Sequence, residues 1–204
     1  MKNRKKVLRM TAASLLAALI FLFGGTPLGL IPLGFINITV LCVPVIIGAV
    51  VLGMRTGLLL GFCFGTASAM SMVGLSLTPP SALASALFGA SPVLALLMCY
   101  VPRLLSPLVC SSVYFILNRK KVRLSLAVMC SAAAGSVTNT VFYLGLMLAF
   151  YALCGLDSTA ILSLIAGTGI LAGTCEAVAA ALIASPVVKA LSKTPVFNRL
   201  GGKV

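Results

Sequence analysis

Two charged side chains interrupt long apolar runs and are the first candidates for chemistry. Arg103 and Glu176 both lie inside such runs, and a charge at the centre of a bilayer costs about 2.5–3.5 kcal/mol on insertion scales. Charged residues at this depth usually face a cavity or a partner. Arginine can also bind a carboxylate through two parallel, charge-assisted hydrogen bonds. We therefore predict that Arg103 and Glu176 are substrate-binding residues and that Arg103 recognises an anionic group.

Each of these residues also has a simpler explanation. Arg103 can extend to the outer lipid headgroups while its stem stays in apolar surroundings. Glu176 can be the structural partner of a Ser, a Thr or a backbone group in a neighbouring helix, and a direct pair with Arg103 is a further alternative. The other acidic residue, Asp157, is expected in an outer turn. The sequence leaves these alternatives open.

A polar stripe lies on the apolar segment around position 140. Ser136, Asn139 and Tyr143 recur at intervals of three and four residues, so they share one face of a helix. Such side chains either hydrogen-bond between membrane helices or supply the few placed polar groups of a ligand pocket. Asn37 and Thr39 stand near the start of another segment, where they cap that helix or line the same cavity. We predict that Asn37, Thr39, Asn139 and Tyr143 bind substrate.

Membrane helices must position these residues, because the composition excludes a water-soluble fold. Of 204 residues, 61% are hydrophobic and 8% are charged, whereas a soluble domain carries about 25% charged residues. A bilayer core takes roughly 20 apolar residues per helix. We predict one all-α integral membrane domain over residues 1–204, with short basic ends at 1–6 and 192–204. Its six transmembrane helices are expected at 7–24, 35–52, 58–73, 93–117, 124–153 and 159–191.

The basic residues indicate how the chain is oriented. The sequence has 15 Lys and Arg but only 2 acidic residues, and the basic residues cluster between apolar runs, as in cytoplasmic loops. With six crossings, every basic residue except Arg103 falls on one side. Both termini are therefore predicted to be cytoplasmic, in a multi-pass protein of the bacterial plasma membrane. Nucleic-acid binding and a metal site are not predicted.

The first predicted span carries small residues at a helical spacing. Ala13 and Ala17 are four residues apart, and small residues at that spacing let another helix approach closely. The pair either packs inside this chain or forms a docking face for a separate membrane subunit. Two other segments, 25–34 and 74–92, are rich in Gly and Pro and are predicted to be loops. The second of these is expected to fold back onto the protein, because irregular backbone at membrane depth must be covered.

Four segments in this order resemble the substrate-binding S component of energy-coupling factor (ECF) vitamin transporters. They are IPLGFINITVLCVPVIIGAVVLGMRTGLLLGFCFG (31–65), VPRLLSPL (101–108), GSVTNTVFYLG (135–145) and EAVAAALIASPVVKAL (176–191). The resemblance covers nearly the whole chain and is closest to the branch that binds riboflavin, pantothenate and folate.

The resemblance implies a six-helix bundle that binds a vitamin or related small molecule from outside the cell. It further implies docking, through Ala13 and Ala17, onto a transmembrane coupling subunit that carries two ATPase subunits. The loops 25–34 and 74–92 would cover the ligand. ATP would be used by the partners, since this chain has no G-x-x-x-x-G-K-[ST] phosphate loop and no cofactor is predicted for it.

Arg103 favours pantothenate as the ligand because pantothenate is anionic. Riboflavin and folate are the alternatives, and the absence of Trp disfavours riboflavin because flavin stacking would rest on Phe or Tyr. An autonomous secondary transporter or small channel is a different class of function, although no inverted repeat supports it. A membrane enzyme is the least favoured class. The chain has no His, and its two acidic residues are expected at different depths.

Overall fold

The structure, a computed structural model, describes residues 2–26, 29–32, 37–39, 41–77, 80–156, 159–164, 167 and 169–194. The elements in chain order are α1 (Lys2–Gly25), β1 (Leu30–Pro32), β2 (Asn37–Thr39), α2 (Cys42–Val51), α3 (Met54–Met72), α4 (Ala82–Ala90), α5 (Pro92–Arg119), α6 (Leu124–Leu153), α7 (Thr159–Leu164) and α8 (Ile170–Ser192). The predicted all-helical character is confirmed for these residues, apart from one short antiparallel pairing of β1 with β2.

Four of the described helices, α1, α5, α6 and α8, are long and apolar enough to cross a membrane. The predicted bounds of the fifth span, 124–153, agree with α6, and α3 lies close to the predicted 58–73. The ten residues of α2 extend about 15 Å, which is half of a bilayer core. The count of six complete spans therefore stays a prediction.

The predicted second span, 35–52, is wrong in its first third. Residues 37–39 are extended, and the helix begins only at Cys42. The physical reason is local. Pro44 lacks an N–H and clashes with the carbonyl four residues earlier, so it is tolerated only in a first helical turn. The β-branched side chains just before the helix favour extended backbone.

Two further boundaries differ from the prediction. The segment 74–92, predicted as a loop, contains α4, which begins where the Ser81 hydroxyl accepts a hydrogen bond from Ala84 N at 3.5 Å. Within the predicted sixth span, 159–191, the structure has two α-helices, α7 and α8. Gly167 and Gly169, the described residues between them, have π-helical backbone, a local widening of the kind that interrupts a regular α-helix.

The bundle has two apolar clusters with α2 packed among the longer helices. The basic-end cluster contains buried residues such as Ile46, Leu60, Val128 and Val188, together with most of α2. The distal cluster comprises buried residues of α3 to α7, among them Met72, Leu87, Met98, Met147 and Ile161.

The basic residues gather at one end of this bundle. The termini of four helices pack against the basic-end cluster through Leu8, Leu117, Leu124 and Leu191. Each of these leucines lies within a few residues of a basic group in the sequence. The number of crossings and the cytoplasmic placement of both termini stay predictions.

Candidate functional site

A layer of polar side chains lies between the two apolar clusters. It combines Arg103 of α5 with Asn139 and Tyr143 of α6, and it reaches Glu176 of α8 through Thr140. Arg103 and Asn139 are each only 5% exposed. Burying such groups is unfavourable unless they find partners, so the layer is the strongest candidate for a site.

Among the described residues, the Arg103 side chain is hydrogen-bonded to a backbone carbonyl and contacts two aromatic rings. Its Nη1 donates to the carbonyl oxygen of Met98 at 2.8 Å. Its guanidinium carbon lies 4.7 Å from the ring centre of Tyr143 and 5.3 Å from that of Phe64, within the range of cation–π attraction. Arg103 therefore points into the bundle, and the alternative of extension to the outer headgroups is wrong.

Two prolines change the backbone hydrogen bonding around Arg103, and the first of them explains how its guanidinium is held. In a regular helix the Met98 carbonyl would accept from the N–H of residue 102, but residue 102 is proline and has no N–H. The guanidinium supplies the missing donor. Pro107 likewise removes the regular donor to the Arg103 carbonyl. Gly61 of α3 lies against that carbonyl oxygen so closely that a methyl group would overlap it.

Two polar atoms in this layer have no hydrogen-bond partner among the described residues. They are Nε of Arg103 and Oδ1 of Asn139. One is a donor and the other an acceptor, and Asn139 is one helical turn from Tyr143, whose ring Arg103 contacts. An unsatisfied buried polar atom costs about 1–3 kcal/mol, and a ligand that pairs with it removes that cost.

Glu176 lies on a different side of α6 from Arg103. Its Oε2 accepts a hydrogen bond from the Thr140 hydroxyl at 3.2 Å, and Gly173 lets α8 approach Thr140. Adjacent helix positions such as 139 and 140 point about 100° apart. Arg103 thus faces Tyr143 and Phe64, whereas Glu176 links α6 to α8. This contact matches the structural role that the sequence left open for Glu176.

A groove opens beside the Thr140 contact, between α6 and α8. Its volume is about 360 Å³ and its lining is mostly apolar, including Val137, Val141 and Ile170. Those three side chains are exposed on the outside of the bundle. The groove therefore faces away from Arg103 and Asn139.

The remaining predicted binding residues are only partly described. The backbone of Asn37 and Thr39 lies in β2, and their side chains lie outside the described part of the structure. The N-cap residue of α2 is Leu41, without a side-chain cap. Neither Asn37 nor Thr39 therefore occupies the N-cap position of that helix.

The predicted docking residues lie on the inner flank of α1. Ala13 and Ala17 are half-buried and pack against the basic-end cluster. The opposite flank of α1 exposes large apolar side chains, such as Leu15 at 69% and Leu22 at 57%. Part of the surface of each alanine is thus already buried within this chain, and the rest is exposed.

The two predicted covering loops are close to each other. Leu77 N, after α3, donates a 3.1 Å hydrogen bond to the carbonyl of Gly25 at the end of α1. The α4 helix in the second loop is tied to α6, because the Tyr151 hydroxyl donates to the Leu83 carbonyl at 2.6 Å. Residues 27–28, 33–36 and 78–79, which complete these loops, lie outside the described residues, as does Asp157.

Sequence reasoning missed Phe64, Met98 and Thr140. No signal in the sequence identifies Phe64 or Met98, because each is an apolar residue in an apolar run. The adjacency of Pro102 and Arg103 was a usable signal, since a proline in a helix leaves a carbonyl in need of a donor.

Comparison with known proteins identified a matching family. The family model described as "ECF transporter, substrate-specific component" matches residues 8–188. No curated protein matches the chain.

Proposed function

The chain belongs to the family of ECF transporter substrate-specific components, and we propose that it captures an anionic vitamin, pantothenate, at the outer side of a bacterial plasma membrane. Membership of the family, with four apolar helices of sufficient length, makes it a multi-pass membrane protein that binds a transport substrate. The family is one of transporter subunits rather than enzymes. The vitamin and the side from which it enters are the proposed parts.

The unpaired atoms in the polar layer carry this proposal. A carboxylate can pair with the guanidinium of Arg103 by using Nε, which lacks a partner among the described residues. Oδ1 of Asn139 then accepts a hydrogen bond from a hydroxyl or an amide N–H of the same ligand. Pantothenate offers a carboxylate, two hydroxyls and an amide. Riboflavin has donors but no carboxylate, and folate has carboxylates on a larger body.

The residues around Arg103 favour a role in binding a negatively charged ligand over a purely structural role for this arginine. A pocket of this type is mostly apolar with a few fixed polar groups. The distal cluster supplies the apolar part, since Met98 and Met147 are fully buried beside the polar layer. The hydrogen bond to Met98 and the two rings fix the guanidinium in advance, which lowers the entropy lost when a ligand binds.

We propose that the loops 25–34 and 74–92 cover the ligand. The Leu77 to Gly25 hydrogen bond couples the two loops where they leave α1 and α3. The Tyr151 to Leu83 hydrogen bond holds α4 over the distal end of α6. A ligand above the polar layer would lie beneath these segments.

The proposed partners are a transmembrane coupling subunit and two ATPase subunits, which supply the ATP. Docking through the exposed edges of Ala13 and Ala17 would use the sparsely packed helix α1. Only 11% of the apolar window of α1 is buried inside the chain. A second membrane helix would bury more of that surface.

Equilibrium binding to the purified full chain tests the ligand. We expect pantothenate to bind more tightly than riboflavin or folate, and Arg103→Ala to weaken binding at least tenfold. Arg119→Ala is the matched control, because Arg119 lies 4.9 Å over the Phe115 ring but at the basic end of α5. Equal affinity of Arg103→Ala and the unmodified protein would refute the carboxylate role.

A second experiment tests the class of function. Affinity purification from the native membrane should recover an ATPase-containing complex with this chain. Pantothenate uptake by proteoliposomes that contain this chain alone would instead show an autonomous transporter.

A further inference from the structure

A cleft of about 840 Å³ lies at the basic end of the bundle, between α1 and α3. Its cationic lining consists of Lys5, Lys6 and Arg9 from α1 and Arg55 from α3. Two helices that are distant in sequence therefore direct four positive charges into one concave surface. This arrangement differs from basic residues spread over a cytoplasmic loop, because the four charges can contact one anion together.

Among the described residues, no acidic side chain lines the cleft with these four cations. Residues 1–156 contain no acidic residue at all. Among the described residues Glu176 is the one acidic side chain, and it is bonded to Thr140 in the polar layer. No acidic side chain in the described part of the chain is therefore available to the cleft, so an anion from outside would supply the counter-charge.

Backbone groups add to the positive character of the cleft. The Arg9 guanidinium donates to the carbonyl of Leu52, which holds it beside the start of α3. The N-cap of α3 is Gly53, and it supplies no side-chain cap. The first N–H groups of that helix, near Arg55, therefore favour an anion.

The same cleft continues onto apolar side chains. The apolar part of the lining consists of Met10 and Ala13 of α1 and Leu59 of α3. Met10 is 62% exposed and Leu59 is 55% exposed. Met10 lies about one helical turn beyond Lys5 and Lys6, and Leu59 lies about one turn beyond Arg55. A ligand that fills the cleft thus meets positive charge at one end and apolar surface at the other.

We propose that this cleft binds an anionic phospholipid of the cytoplasmic leaflet. The lipid phosphate lies among Lys5, Lys6 and Arg55, and an acyl chain follows Met10 and Leu59 into the membrane. Basic pockets between transmembrane helices on the cytoplasmic side suit anionic lipid headgroups. An acidic segment of a partner protein would satisfy the charges but not the apolar continuation, so the lipid is favoured.

This site is independent of the vitamin-binding site. Ala13 lines the cleft and is also a proposed docking residue. A bound lipid therefore occupies the edge of the proposed docking face and can affect how the coupling subunit associates.

Native mass spectrometry of the detergent-purified chain, titrated with phosphatidylglycerol, tests the proposal. The triple variant K5Q/K6Q/R55Q should bind phosphatidylglycerol roughly 100-fold more weakly, since each basic residue near an anionic surface contributes about fivefold in affinity. The matched control K120Q/K121Q/R123Q removes three charges at the same end of the bundle and should stay within about twofold of the unmodified protein. Phosphatidylcholine should bind weakly to all three proteins.

Three results would overturn the proposal. They are equal binding of phosphatidylcholine and phosphatidylglycerol, equal weakening by both triple variants, and loss of the ATPase-containing complex by K5Q/K6Q/R55Q with unchanged lipid affinity. The last result would assign the cleft to an acidic partner segment. The single variant Arg55→Glu, at an exposed position, checks the conclusion if the triple variant folds poorly. It should also weaken phosphatidylglycerol binding, and unchanged binding would count against the site.

Discussion

Arg103 donates a hydrogen bond to the Met98 carbonyl, the carbonyl that Pro102 leaves without its regular helical donor. A buried arginine is thereby fixed by a proline in its own helix. The arrangement leaves Nε without a partner in the described part of the chain. The proline therefore shapes the site although it offers no functional group of its own.

This relationship predicts an energetic coupling between Pro102 and Arg103. Arg103→Ala leaves the buried Met98 carbonyl unsatisfied and should cost about 1–3 kcal/mol of stability. In a Pro102→Ala background the new N–H at position 102 can bond that carbonyl, so the same change should cost at least about 1 kcal/mol less. Thermal or denaturant unfolding of the purified double-mutant set measures the difference.

The control for this cycle is Pro107→Ala. That change restores a donor to the Arg103 carbonyl rather than to Met98. The cost of Arg103→Ala should therefore be the same in the Pro107→Ala protein as in the unmodified one. Additive effects in both proline backgrounds would contradict the coupling.

Asn139→Leu should separate ligand binding from folding. Oδ1 of Asn139 is buried without a partner among the described residues, so an apolar side chain of similar size should leave stability unchanged or raise it by about 1 kcal/mol. Ligand affinity should fall at least tenfold. Both quantities can be measured on one preparation, by thermal unfolding and by isothermal titration.

Ser131→Ala provides the comparison for Asn139. The Ser131 hydroxyl is fully buried and donates to the Val128 carbonyl at 2.9 Å, so its loss should lower stability slightly and leave ligand affinity unaltered. If Asn139→Leu instead destabilised the protein without changing affinity, Asn139 would be a structural residue.

Thr140→Val should weaken the association of α6 with α8. It removes the 3.2 Å hydrogen bond to Glu176 and the 3.3 Å one from the same hydroxyl to the Ser136 carbonyl of its own helix, while keeping the side-chain volume. Interhelical bonds such as the one to Glu176 contribute about 0.6–2 kcal/mol. Thr138→Val is the matched control, because the Thr138 hydroxyl donates to Ala134 of its own helix at 2.7 Å. Comparable unfolding midpoints for the two variants would argue against a structural role for the Glu176 contact.

Gly61→Ala should disturb the packing of α3 against Arg103. A methyl group there overlaps the Arg103 carbonyl oxygen and lies 3.1 Å from Pro107, and overpacking of this kind costs about 1–3 kcal/mol. The displaced backbone should also lower ligand affinity. Binding and unfolding measurements on the same variant check both expectations.

Gly145→Ala is the control for Gly61→Ala. Gly145 is also within a helix, but nothing lies within 4 Å of an added methyl group. Alanine should therefore be tolerated there or stabilise the helix by up to about 1 kcal/mol. If Gly145→Ala lowered stability as much as Gly61→Ala, the loss at Gly61 could not be assigned to overpacking against Arg103.

The class of protein followed from the sequence, and the resemblance to an S component is confirmed by the family match over residues 8–188. The bounds of α6 were also predictable, because a long apolar run between a basic turn and a glycine leaves little choice. The start of α2 was mispredicted, since hydropathy alone does not distinguish an apolar strand from an apolar helix.

The sequence by itself indicated that Arg103 and Glu176 lie within apolar segments and that Asn139 and Tyr143 share a helix face, because hydropathy and helical period are local properties. The structure buries Arg103 and leaves Glu176 partly exposed. Only the tertiary structure decided which groups meet. It pairs Arg103 with Met98, Phe64 and Tyr143 and directs Glu176 to Thr140. The reason is that contacts between helices depend on their rotation and depth in the bundle, which many residues far apart in the chain set together.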